Sequence, residues 1–420
     1  MKVMVIGGGG REHAIIKKIK ENPEVTALYA LPGNGGIAKD ATCVDIGAKD
    51  IEGVVAFAKE NAIDFAVVAP DDPLVLGMVD ALTEIGIPCF GPDKKAAILE
   101  GSKVFSKDLM KKYGIPTAAY EVFDDMDKAL AYLETAPIPT VIKADGLALG
   151  KGVIIAETKE AAQDAVRSMM ADKVFGDSGN NIVIEEFMTG PEVSVLSFTD
   201  GKTIVPMISA MDHKRAKDGD KGLNTGGMGT IAPNPYYTEA VAQECMDKIF
   251  VPTMEAMNAE GRTFKGCIFF GLMITPNGPK VIEYNCRFGD PETQVVLPLL
   301  ESDLLTIMKA VAEEKLADVE VKFSDKSACC VIMASAGYPE SYEKGFEITL
   351  PENDDLIFIA GAKEADGKLL TNGGRVLGVV ELADTLPEAI AKSYESVKTV
   401  KFDNAFYRND IGKKALEAEV

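Results

Sequence analysis

Apolar and polar positions alternate in blocks along the first hundred residues. Continuous apolar runs at Lys2–Ile6, Ala27–Leu31 and Phe65–Ala69 have the length and composition of buried strands. Between the later runs, residues 51–62 carry apolar side chains at helical spacing. Strand–helix–strand units of this kind build parallel sheets. The pattern therefore predicts an N-terminal open parallel α/β domain over residues 1–102.

Hairpins replace these units in the middle of the chain. Pro139–Lys143 and Val153–Ala156 are predicted strands, and the segment between them is rich in glycine and carries a lysine. Such a hairpin is a plausible mobile flap over phosphates. It is not a Walker P-loop, because Gly152 stands where that motif needs Ser or Thr. Gly266–Ile274 and the strand that starts at Val281 form a second predicted hairpin.

Three further segments complete the pattern. Residues 219–229 are predicted to form a long glycine-rich loop, which is the kind of loop that is usually functional or disordered. Residues 237–257 are predicted to form an amphipathic helix that is kinked or interrupted at Pro252. From residue 328 to residue 420, mixed strands and a final helix predict a small α+β domain.

The most polar turn follows the strand that begins at Val281. Side chains alternate along a strand, so Glu283 and Asn285 are expected on one face. A carboxylate and an amide oxygen form a hard, oxygen-rich pair of the kind that Mg²⁺ uses together with substrate phosphates. A sheet edge with a solvated loop is the alternative, but Arg287, Asp290 and Glu292 follow directly and favour a functional site.

The glycine turn Gly7–Gly10 leaves two interpretations open. A dinucleotide fingerprint is absent, because Glu12 and His13 stand where it needs its last glycine. Backbone N–H groups at a helix N-terminus can bind a phosphate, and Arg11 fits that interpretation. The alternative is a purely structural tight turn. Lys143 and Glu192 have similar alternatives: a nucleotide contact, or a solvated surface charge.

Length, charge and cysteine content narrow the class of protein. The 420 residues fit two to four domains, and the net charge of −21 opposes binding to nucleic acid or to anionic membranes. Seven cysteines without metal-type spacing, no signal segment and no long apolar run predict a cytoplasmic protein with reduced thiols. With only two histidines, a multi-histidine metal site is not expected.

Taken together, the motifs resemble those of the phosphoribosylamine–glycine ligases, the glycinamide ribonucleotide synthetases of the ATP-grasp superfamily. Any one motif is weak, but the set in this order is specific. The matching stretches are Gly9–Ala14, Pro32–Asn34, Gly101–Lys103, Ile142–Ala148, Gly150–Gly152, Ile184–Phe187, Asp212–Arg215, Asn224–Gly229, Asn285–Gln294 and Asn372–Arg375. The resemblance implies an ATP-grasp core over residues 103–327, with a mobile lid at about residues 118–190.

The resemblance also implies a reaction and a set of site residues. ATP, glycine and 5-phosphoribosylamine would give glycinamide ribonucleotide, ADP and phosphate through a glycyl phosphate, in purine biosynthesis. Mg²⁺ (or Mn²⁺) would be held by Glu283 and Asn285, and the enzyme would be a monomer. The implied ATP-binding residues are Lys103, Lys143, Gly150, Lys151, Gly152, Glu185, Glu186, Phe187 and Glu192. The implied catalytic residues are Asp212, Lys214 and Arg287. The implied substrate-binding residues are Gly9, Gly10, Arg11, Asn34, Asn224, Thr225, Gly226, Asp290, Pro291, Glu292 and Arg375.

The sequence departs from the family pattern at three places. The first domain reads Ala69-Pro70-Asp71-Asp72 where the family usually has Gly-Pro-Glu before Pro-Leu, and Leu223 replaces a proline of the glycine-rich loop. The strand Phe269–Ile274 lacks the metal-binding acid that many ATP-grasp relatives carry. The rival hypotheses are another ATP-grasp ligase or carboxylase, which would activate a different carboxylate or bicarbonate, and a nucleotide-sensing module without turnover.

Overall fold

The computed structural model describes residues 1–147 and 152–418. Its first part is a five-stranded sheet in the order β3-β2-β1-β4-β5, in which every pairing is parallel. Helices lie between the strands, as the block pattern predicted. The elements are β1 (Lys2–Gly7), α1 (Gly10–Lys20), β2 (Ala27–Pro32), β3 (Thr42–Cys43), α2 (Ile51–Glu60), β4 (Phe65–Val68), α3 (Asp71–Leu76), α4 (Met78–Glu84), β5 (Cys89–Phe90) and α5 (Lys94–Gly101).

A small antiparallel sheet forms the second part, in the order β6-β9-β7-β8. Two helices cover one face, where Leu133, Val166 and Ile142 are fully buried. This unit corresponds to the predicted lid. Its elements are α6 (Lys103–Tyr113), which leads into it, then β6 (Tyr120–Phe123), α7 (Met126–Leu133), β7 (Thr140–Ala144), β8 (Val153–Ala156), α8 (Lys159–Met170) and β9 (Ile182–Glu186).

A second antiparallel sheet, in the order β11-β10-β16-β17, faces the lid across a cleft. The predicted loop 219–229 is partly wrong, because residues 215–224 fold back as a hairpin of β13 and β14. The elements are β10 (Glu192–Thr199), β11 (Ile204–Pro206), β12 (Met211–Asp212), β13 (Arg215–Lys217), β14 (Lys221–Asn224), β15 (Gly229–Ala232), α9 (Glu239–Cys245), α10 (Val251–Ala259), β16 (Gly266–Thr275), β17 (Gly278–Asn285), α11 (Thr293–Val296) and α12 (Leu304–Ala312).

The predicted helix interruption at Pro252 is confirmed. Residues 246–250 form a π turn between α9 and α10, and Pro252 follows in the first turn of α10. Proline has no N–H to donate to the preceding turn and its ring crowds the carbonyl there, so the wider turn relieves the conflict. Cys245, Ile249 and Met257 are still fully buried on one side. The irregularity therefore leaves the apolar face of the helix pair intact.

The C-terminal sheet is built partly by the middle of the chain. Strands β12 and β15 continue the sheet of β18, β22 and β19, and β15 pairs with β18 along four residues. The sequence-based boundary at residue 328 did not anticipate this. The remaining elements are β18 (Ser327–Ser335), β19 (Ile357–Ile359), β20 (Ala362–Ala365), β21 (Lys368–Thr371), β22 (Arg375–Ala383), α13 (Leu386–Val397), β23 (Ala405–Phe406) and α14 (Lys413–Leu416).

The predicted fold class, open parallel α/β followed by an ATP-grasp core and a mixed C-terminal domain, is confirmed. One apolar cluster spans the first domain, the second antiparallel sheet and the C-terminal sheet, since Val5 of β1, Phe269 of β16 and Val380 of β22 belong to it. The lid has an apolar cluster of its own. Among the helices that the structure describes, none combines the length and the apolar character that crossing a bilayer requires.

Candidate active site

Three lysines line the cleft, each from a different element. Lys103 is the first residue of α6, and its Nζ donates to the Gly146 carbonyl at 2.6 Å. Lys143 lies near the end of β7, 3.0 Å from a Glu185 carboxylate oxygen and 3.1 Å from the Ile282 carbonyl. Lys214 lies two residues after β12. Of the two predicted phosphate-binding lysines, Lys143 therefore reaches the strand that carries Glu283, and Lys103 acts on Glu283 through its charge.

Glu283 and Asn285 lie on the same face of β17, as the alternation predicted, while Tyr284 between them is buried on the other face. Among the described residues, no hydrogen-bond donor reaches the Glu283 carboxylate, and Lys214 Nζ lies 3.9 Å from it. Burial raises the pKa of Glu283, but Lys214, Lys143 and Lys103 outweigh that effect and lower it. Glu283 is therefore an ionised carboxylate facing the cleft.

Asn285 is oriented by its own amide nitrogen. Nδ2 donates to Glu100 Oε1 at 3.2 Å and to the Tyr284 carbonyl at 2.9 Å. Oδ1 accepts no hydrogen bond from the part of the chain that is described. Two hard oxygen ligands are thus available side by side, which fits a divalent cation completed by phosphates and water. In the described ranges, no group of three or more His, Cys, Asp or Glu side chains could share a metal ion.

Lys214 belongs to a dense cluster of charges. Its Nζ lies 3.4 Å from a Glu192 oxygen, and the negative charges of Glu192, Glu283 and Asp212 raise its pKa. Burial and the nearby Glu292 raise the pKa of Asp212 well above its usual value. Burial also raises the pKa of Glu292, whose Oε1 accepts from the Ser194 hydroxyl at 3.2 Å. The carboxyls of Asp212 and Glu292, both with raised pKa values, therefore lie near the charged ammonium group of Lys214.

The Asn224–Gly229 loop closes over this cluster. Thr225 is fixed to the Lys214 carbonyl through its N–H at 2.7 Å and its hydroxyl at 2.8 Å. Gly227 has a φ of +119°, and an added Cβ would lie 2.4 Å from Pro291 Cδ and 2.6 Å from Asp212 Oδ1. Only glycine fits there. Asn224 and Leu223 are exposed at the edge of the hairpin.

Arg375 anchors the same loop from β22. Its Nη1 donates to the Gly226 carbonyl and to the Asp290 carbonyl, each at 2.9 Å, and lies 3.3 Å from an Asp290 carboxylate oxygen. Burial raises the pKa of Asp290, but Arg375 and Arg11 lower it overall. The Gly226 N–H donates to the Tyr338 hydroxyl at 3.0 Å. The C-terminal domain therefore shapes the site.

The N-terminal glycine turn is tied internally. The Gly9 N–H donates to Glu12 Oε2 at 2.6 Å, and Arg11 Nε donates to Glu12 Oε1 at 2.7 Å. Arg11 Nη1 also donates to the Phe288 carbonyl. Gly10 packs against Gln294, where an added Cβ would meet Nε2 at 2.6 Å. The guanidinium of Arg11 is therefore held by protein groups and is 12% exposed.

Asn34 is also fully engaged. Its Nδ2 donates to the Gly8 and Ile359 carbonyls at 2.9 and 2.8 Å, and its Oδ1 accepts from the N–H groups of Gly36 and Ile37. The side chain thus joins the first domain to β19. A cavity of ≈ 460 Å³ lies beside it, between the two domains. Its lining includes Gly8, Gly33, Gly361, Lys363 and Asn372.

The residues expected around the nucleoside differ in their surroundings. Glu185 is buried and pairs with Lys143 and Lys107, so the two lysines already balance its negative charge. Glu186 lies 3.1 Å from Lys280 Nζ, and Phe187 is 40% exposed beside the cleft. The Gly152 carbonyl accepts from the Ala144 N–H and closes the β7–β8 hairpin. The predicted residues Gly150 and Lys151 lie outside the described ranges.

Sequence reasoning missed two residues of this site. Lys107 is buried and lies 3.2 Å from Glu185, four residues after the lysine that the Gly-Ser-Lys motif identified. Glu100 immediately precedes that motif and contacts Arg287 at 2.9 Å. Helical spacing from Lys103 could have indicated Lys107. For Glu100, no sequence signal pointed to residues 285–287, because the contact is made only in the folded chain.

Comparisons with known proteins decide the family. Models of the phosphoribosylglycinamide synthetase N domain, ATP-grasp (A) domain and C domain match residues 1–100, 101–293 and 328–414. The chain belongs to the phosphoribosylglycinamide synthetase family. The family resemblance inferred from the motifs is thereby confirmed.

Relatives of this synthetase family match over their full length. A phosphoribosylamine–glycine ligase of Clostridium acetobutylicum is 48% identical, with 98% of this chain and 100% of the relative covered. One of Vibrio parahaemolyticus is 46% identical, with 100% and 99% covered. The crystal structure of the Thermotoga maritima phosphoribosylamine–glycine ligase has a TM-score of 0.86 at 36% identity, and covers 98% of this chain and 100% of that one.

The fold is shared more widely than the family. A biotin carboxylase domain of the Hydrogenobacter thermophilus 2-oxoglutarate carboxylase has a TM-score of 0.74 at 15% identity, covering 97% of this chain and 91% of that one. At that identity the likeness concerns the fold alone. The likeness carries no argument about the substrate; the ATP-grasp assignment of residues 101–293 comes from the family model.

Proposed function

We propose that this chain joins glycine to 5-phosphoribosylamine at the expense of ATP, giving glycinamide ribonucleotide, ADP and phosphate in purine biosynthesis. The family assignment and the full-length relatives named phosphoribosylamine–glycine ligase support this reaction. One observation of the site carries it. The charges of Lys214, Lys143 and Lys103 all act on Glu283, which shares a face of β17 with Asn285, and Lys214 also acts on the two carboxyls with raised pKa values.

The ATP end of the cleft lies between the lid and β17. Lys103 and Lys143 would hold ATP phosphates, with Gly150, Lys151 and Gly152 closing over them. Glu185, Glu186 and Phe187 would line the adenine, and Glu192 would contact the ribose. Glu283 and Asn285 would hold Mg²⁺ or Mn²⁺, which supplies positive charge to the phosphates when it is bound.

The glycine end lies around Asp212 and Glu292. Their carboxyls would hold the ammonium group of glycine, so that its carboxylate points toward Lys214 and Arg287. Asn224, Thr225 and Gly226 would cover this end, with Asp290 and Pro291 forming its far wall. Fixed cations next to the transferring phosphoryl group stabilise its charge without reorganisation.

The chemistry then needs two displacements. A carboxylate oxygen of glycine attacks the γ-phosphorus, the bond to the β-phosphate oxygen breaks, and ADP leaves. The neutral amine of phosphoribosylamine next attacks the acyl carbon, the carbon–oxygen bond to phosphate breaks, and the amine loses a proton to solvent. The protein contributes position and charge rather than a nucleophile. A closed flap would keep water from the acyl phosphate.

The phosphosugar would be bound where the first and last domains meet. The turn of Gly9, Gly10 and Arg11, with Asn34 and Arg375, would hold it there. Because the Asn34 side chain and the Arg11 guanidinium already have protein partners, we assign them to shaping the pocket as well as to contact. We infer that the chain acts as a monomer. Sedimentation equilibrium with substrates would test this.

A substrate-resolved assay tests the function. Purified protein with ATP and Mg²⁺ should release phosphate and ADP when glycine and phosphoribosylamine are both present, and should form glycinamide ribonucleotide in equal amount. Omission of either substrate should abolish product. Phosphate release that requires bicarbonate instead would show a carboxylase and overturn the proposal. ATP binding without ADP formation under every combination would show a sensing module.

A further inference from the structure

The carboxylate of Glu100 collects four donors from three consecutive residues at the end of β17. Oε1 accepts from Arg287 Nη2 at 2.9 Å and from Asn285 Nδ2 at 3.2 Å. Oε2 accepts from the Cys286 N–H at 2.8 Å and from the Cys286 thiol at 3.0 Å. Glu100 is 8% exposed and lies in the last turn of α5. A helix of the first domain thus fixes the segment where the chain leaves β17.

We propose that Glu100 is a positioning residue that sets both the metal ligand Asn285 and the phosphoryl-transfer residue Arg287. The proposal rests on the function proposed above and adds a residue that the motif comparison did not assign. In this proposal Glu100 is not itself a ligand of the substrate or the metal. It acts through the two side chains that it holds.

Asn285 depends on Glu100 for the direction of its amide. An amide can rotate so that oxygen and nitrogen exchange places, and hydrogen-bond partners decide which orientation is kept. Glu100 and the Tyr284 carbonyl accept from Nδ2, so the oxygen is the atom left for a cation. Outer partners of this kind orient metal ligands, and their loss costs about 10- to 100-fold in metal affinity or activity.

Arg287 depends on Glu100 for its charge balance and for the orientation of its guanidinium group. Its other hydrogen bond in the described ranges is from Nη1 to the Phe288 carbonyl at 3.3 Å, and its buried Nε has no partner there. Its side chain is 18% exposed. Without the carboxylate, a largely buried guanidinium would lack its ion-pair partner and would move toward water. One substitution should therefore weaken the metal site and the phosphoryl-transfer step together.

The first test measures binding without turnover. Mn²⁺ is titrated by electron paramagnetic resonance into protein saturated with the non-hydrolysable analogue adenylyl imidodiphosphate. Glu100→Gln should weaken Mn²⁺ binding about 10- to 100-fold and change the affinity for the metal-free analogue much less. The matched control is Asp200→Asn, because Asp200 is 1% exposed and, among the described residues, accepts only from backbone N–H groups far from the cleft. That control should lose stability and keep its Mn²⁺ affinity.

A double-mutant cycle separates positioning from a general structural role. If Glu100 acts on the metal through Asn285, then adding Glu100→Gln to Asn285→Ala should lower the Mn²⁺ affinity little further than Asn285→Ala alone. Full additivity would overturn the proposal, as would Mn²⁺ affinity and kcat that are unchanged in Glu100→Gln. If Glu100→Gln does not fold, Glu100→Asp keeps the charge one methylene short and should still weaken Mn²⁺ binding.

The binding test also distinguishes this proposal from the proposed function. It uses no glycine and no phosphoribosylamine, so it remains informative if the wild-type protein turns over another substrate. If the wild-type protein shows no glycine-dependent turnover but Glu100→Gln weakens Mn²⁺ binding as predicted, the proposed function is overturned and the positioning role of Glu100 stands. If the wild-type protein turns over normally but Glu100→Gln leaves Mn²⁺ binding unchanged, only the positioning role of Glu100 is overturned.

Discussion

At the scale of single residues, charge balance sets the chemistry of the cleft. Glu283 remains ionised because three lysines outweigh the effect of burial, whereas Asp212 and Glu292 have raised pKa values. Neighbouring carboxyls with opposite pKa shifts are typical of functional sites. The ionised group faces the region proposed for the metal, and the other two face the region proposed for glycine.

Glu283→Gln tests the first of these roles. We expect kcat to fall by about 100-fold, because a neutral amide loses both the metal ligand and the attraction to Lys214. The melting temperature should stay within about 2 °C, because the Glu283 side chain is 33% exposed and makes no hydrogen bond to described residues. Steady-state kinetics and differential scanning calorimetry provide the two measurements.

Glu244→Gln is the matched control for that substitution. The Glu244 side chain is 34% exposed and pairs with Lys248 at 2.7 Å on the surface of α9. Its loss should change neither kcat nor the melting temperature appreciably. Near-normal turnover in Glu283→Gln combined with a large fall in melting temperature would show that Glu283 is structural.

At the scale of elements, the hairpin of β13 and β14 is held by the C-terminal segment. Arg408 is 1% exposed, and its Nη1 donates to the Arg215 carbonyl and to Asp220, each at 3.0 Å. Its Nε and Nη2 donate to the Asp410 carboxylate. The hairpin joins Lys214 to Thr225. The contacts of Arg408 with Arg215, Asp220 and Asp410, which we call the clasp, therefore set where the Asn224–Gly229 loop begins.

Arg408→Met should lower the free energy of unfolding by about 2 to 4 kcal/mol, because two partly buried carboxylates lose their partner. It should also raise the KM for glycine by loosening the loop. Urea unfolding and initial-rate kinetics are the measurements. Lys414→Met is the control, since Lys414 also pairs with Asp220 but its side chain is 68% exposed and should contribute under about 1 kcal/mol. Equal effects of both substitutions would contradict the clasp.

His213 makes the same attachment sensitive to pH. Its Nε2 accepts from the Gly412 N–H at 3.0 Å, so Nδ1 carries the proton and donates to the Gly229 carbonyl at 3.0 Å. Burial lowers the pKa of His213 from 6.5 to about 4. The ring is therefore held neutral in the folded state, and protonation would remove the acceptor for Gly412.

The folded pKa lies below the unfolded value, so this stability is fully present above pH 6.5 and is lost as the pH falls through about 4. The loss at pH 4 should be on the order of 3 kcal/mol. We expect His213→Gln to show a smaller decrease in unfolding free energy between pH 7.5 and pH 4 than the parent. Parallel pH profiles for parent and variant would refute this assignment.

At the scale of the whole molecule, side-chain hydrogen bonds join the first and last domains around one cavity. Asn34 bonds the Ile359 carbonyl, and His13 Nδ1 accepts from the Ile359 N–H at 2.8 Å. Asp40 accepts from the other ring nitrogen of His13 at 3.0 Å. These contacts hold β19 against the glycine turn and thereby fix one wall of the proposed phosphosugar pocket.

Asn34→Ala distinguishes the structural role from the role in binding. Because four hydrogen bonds disappear, we expect the unfolding free energy to drop by about 2 to 4 kcal/mol. Asn372→Ala is the control, since Asn372 lines the same cavity and its side chain bonds no described residue. An unchanged unfolding free energy in Asn34→Ala, together with a raised KM for phosphoribosylamine, would assign Asn34 to the substrate alone.

The parts of the fold and of the candidate site that could be predicted from the sequence are those that depend on local patterns. The apolar runs, the caps and the alternation along β17 depend on neighbours in the chain, so the parallel sheet, the hairpins and the common face of Glu283 and Asn285 followed from sequence. The Pro252 interruption followed for the same reason. The hairpin within residues 215–224 was missed, because Arg408 and Asp410, nearly two hundred residues away, bind its first strand and its turn.

By itself, the sequence determined the elements, the family and the identity of the charged residues. Only the tertiary structure decided which of those charges meet. It gave Glu185 two lysine partners, turned Asn34 and Arg375 into ties between domains, and placed Glu100 against the exit of β17. Burial and pairing depend on residues that are distant along the chain, and no local pattern encodes them. The chemistry is present in the motifs, and the fold sets the ionisation and orientation of each group.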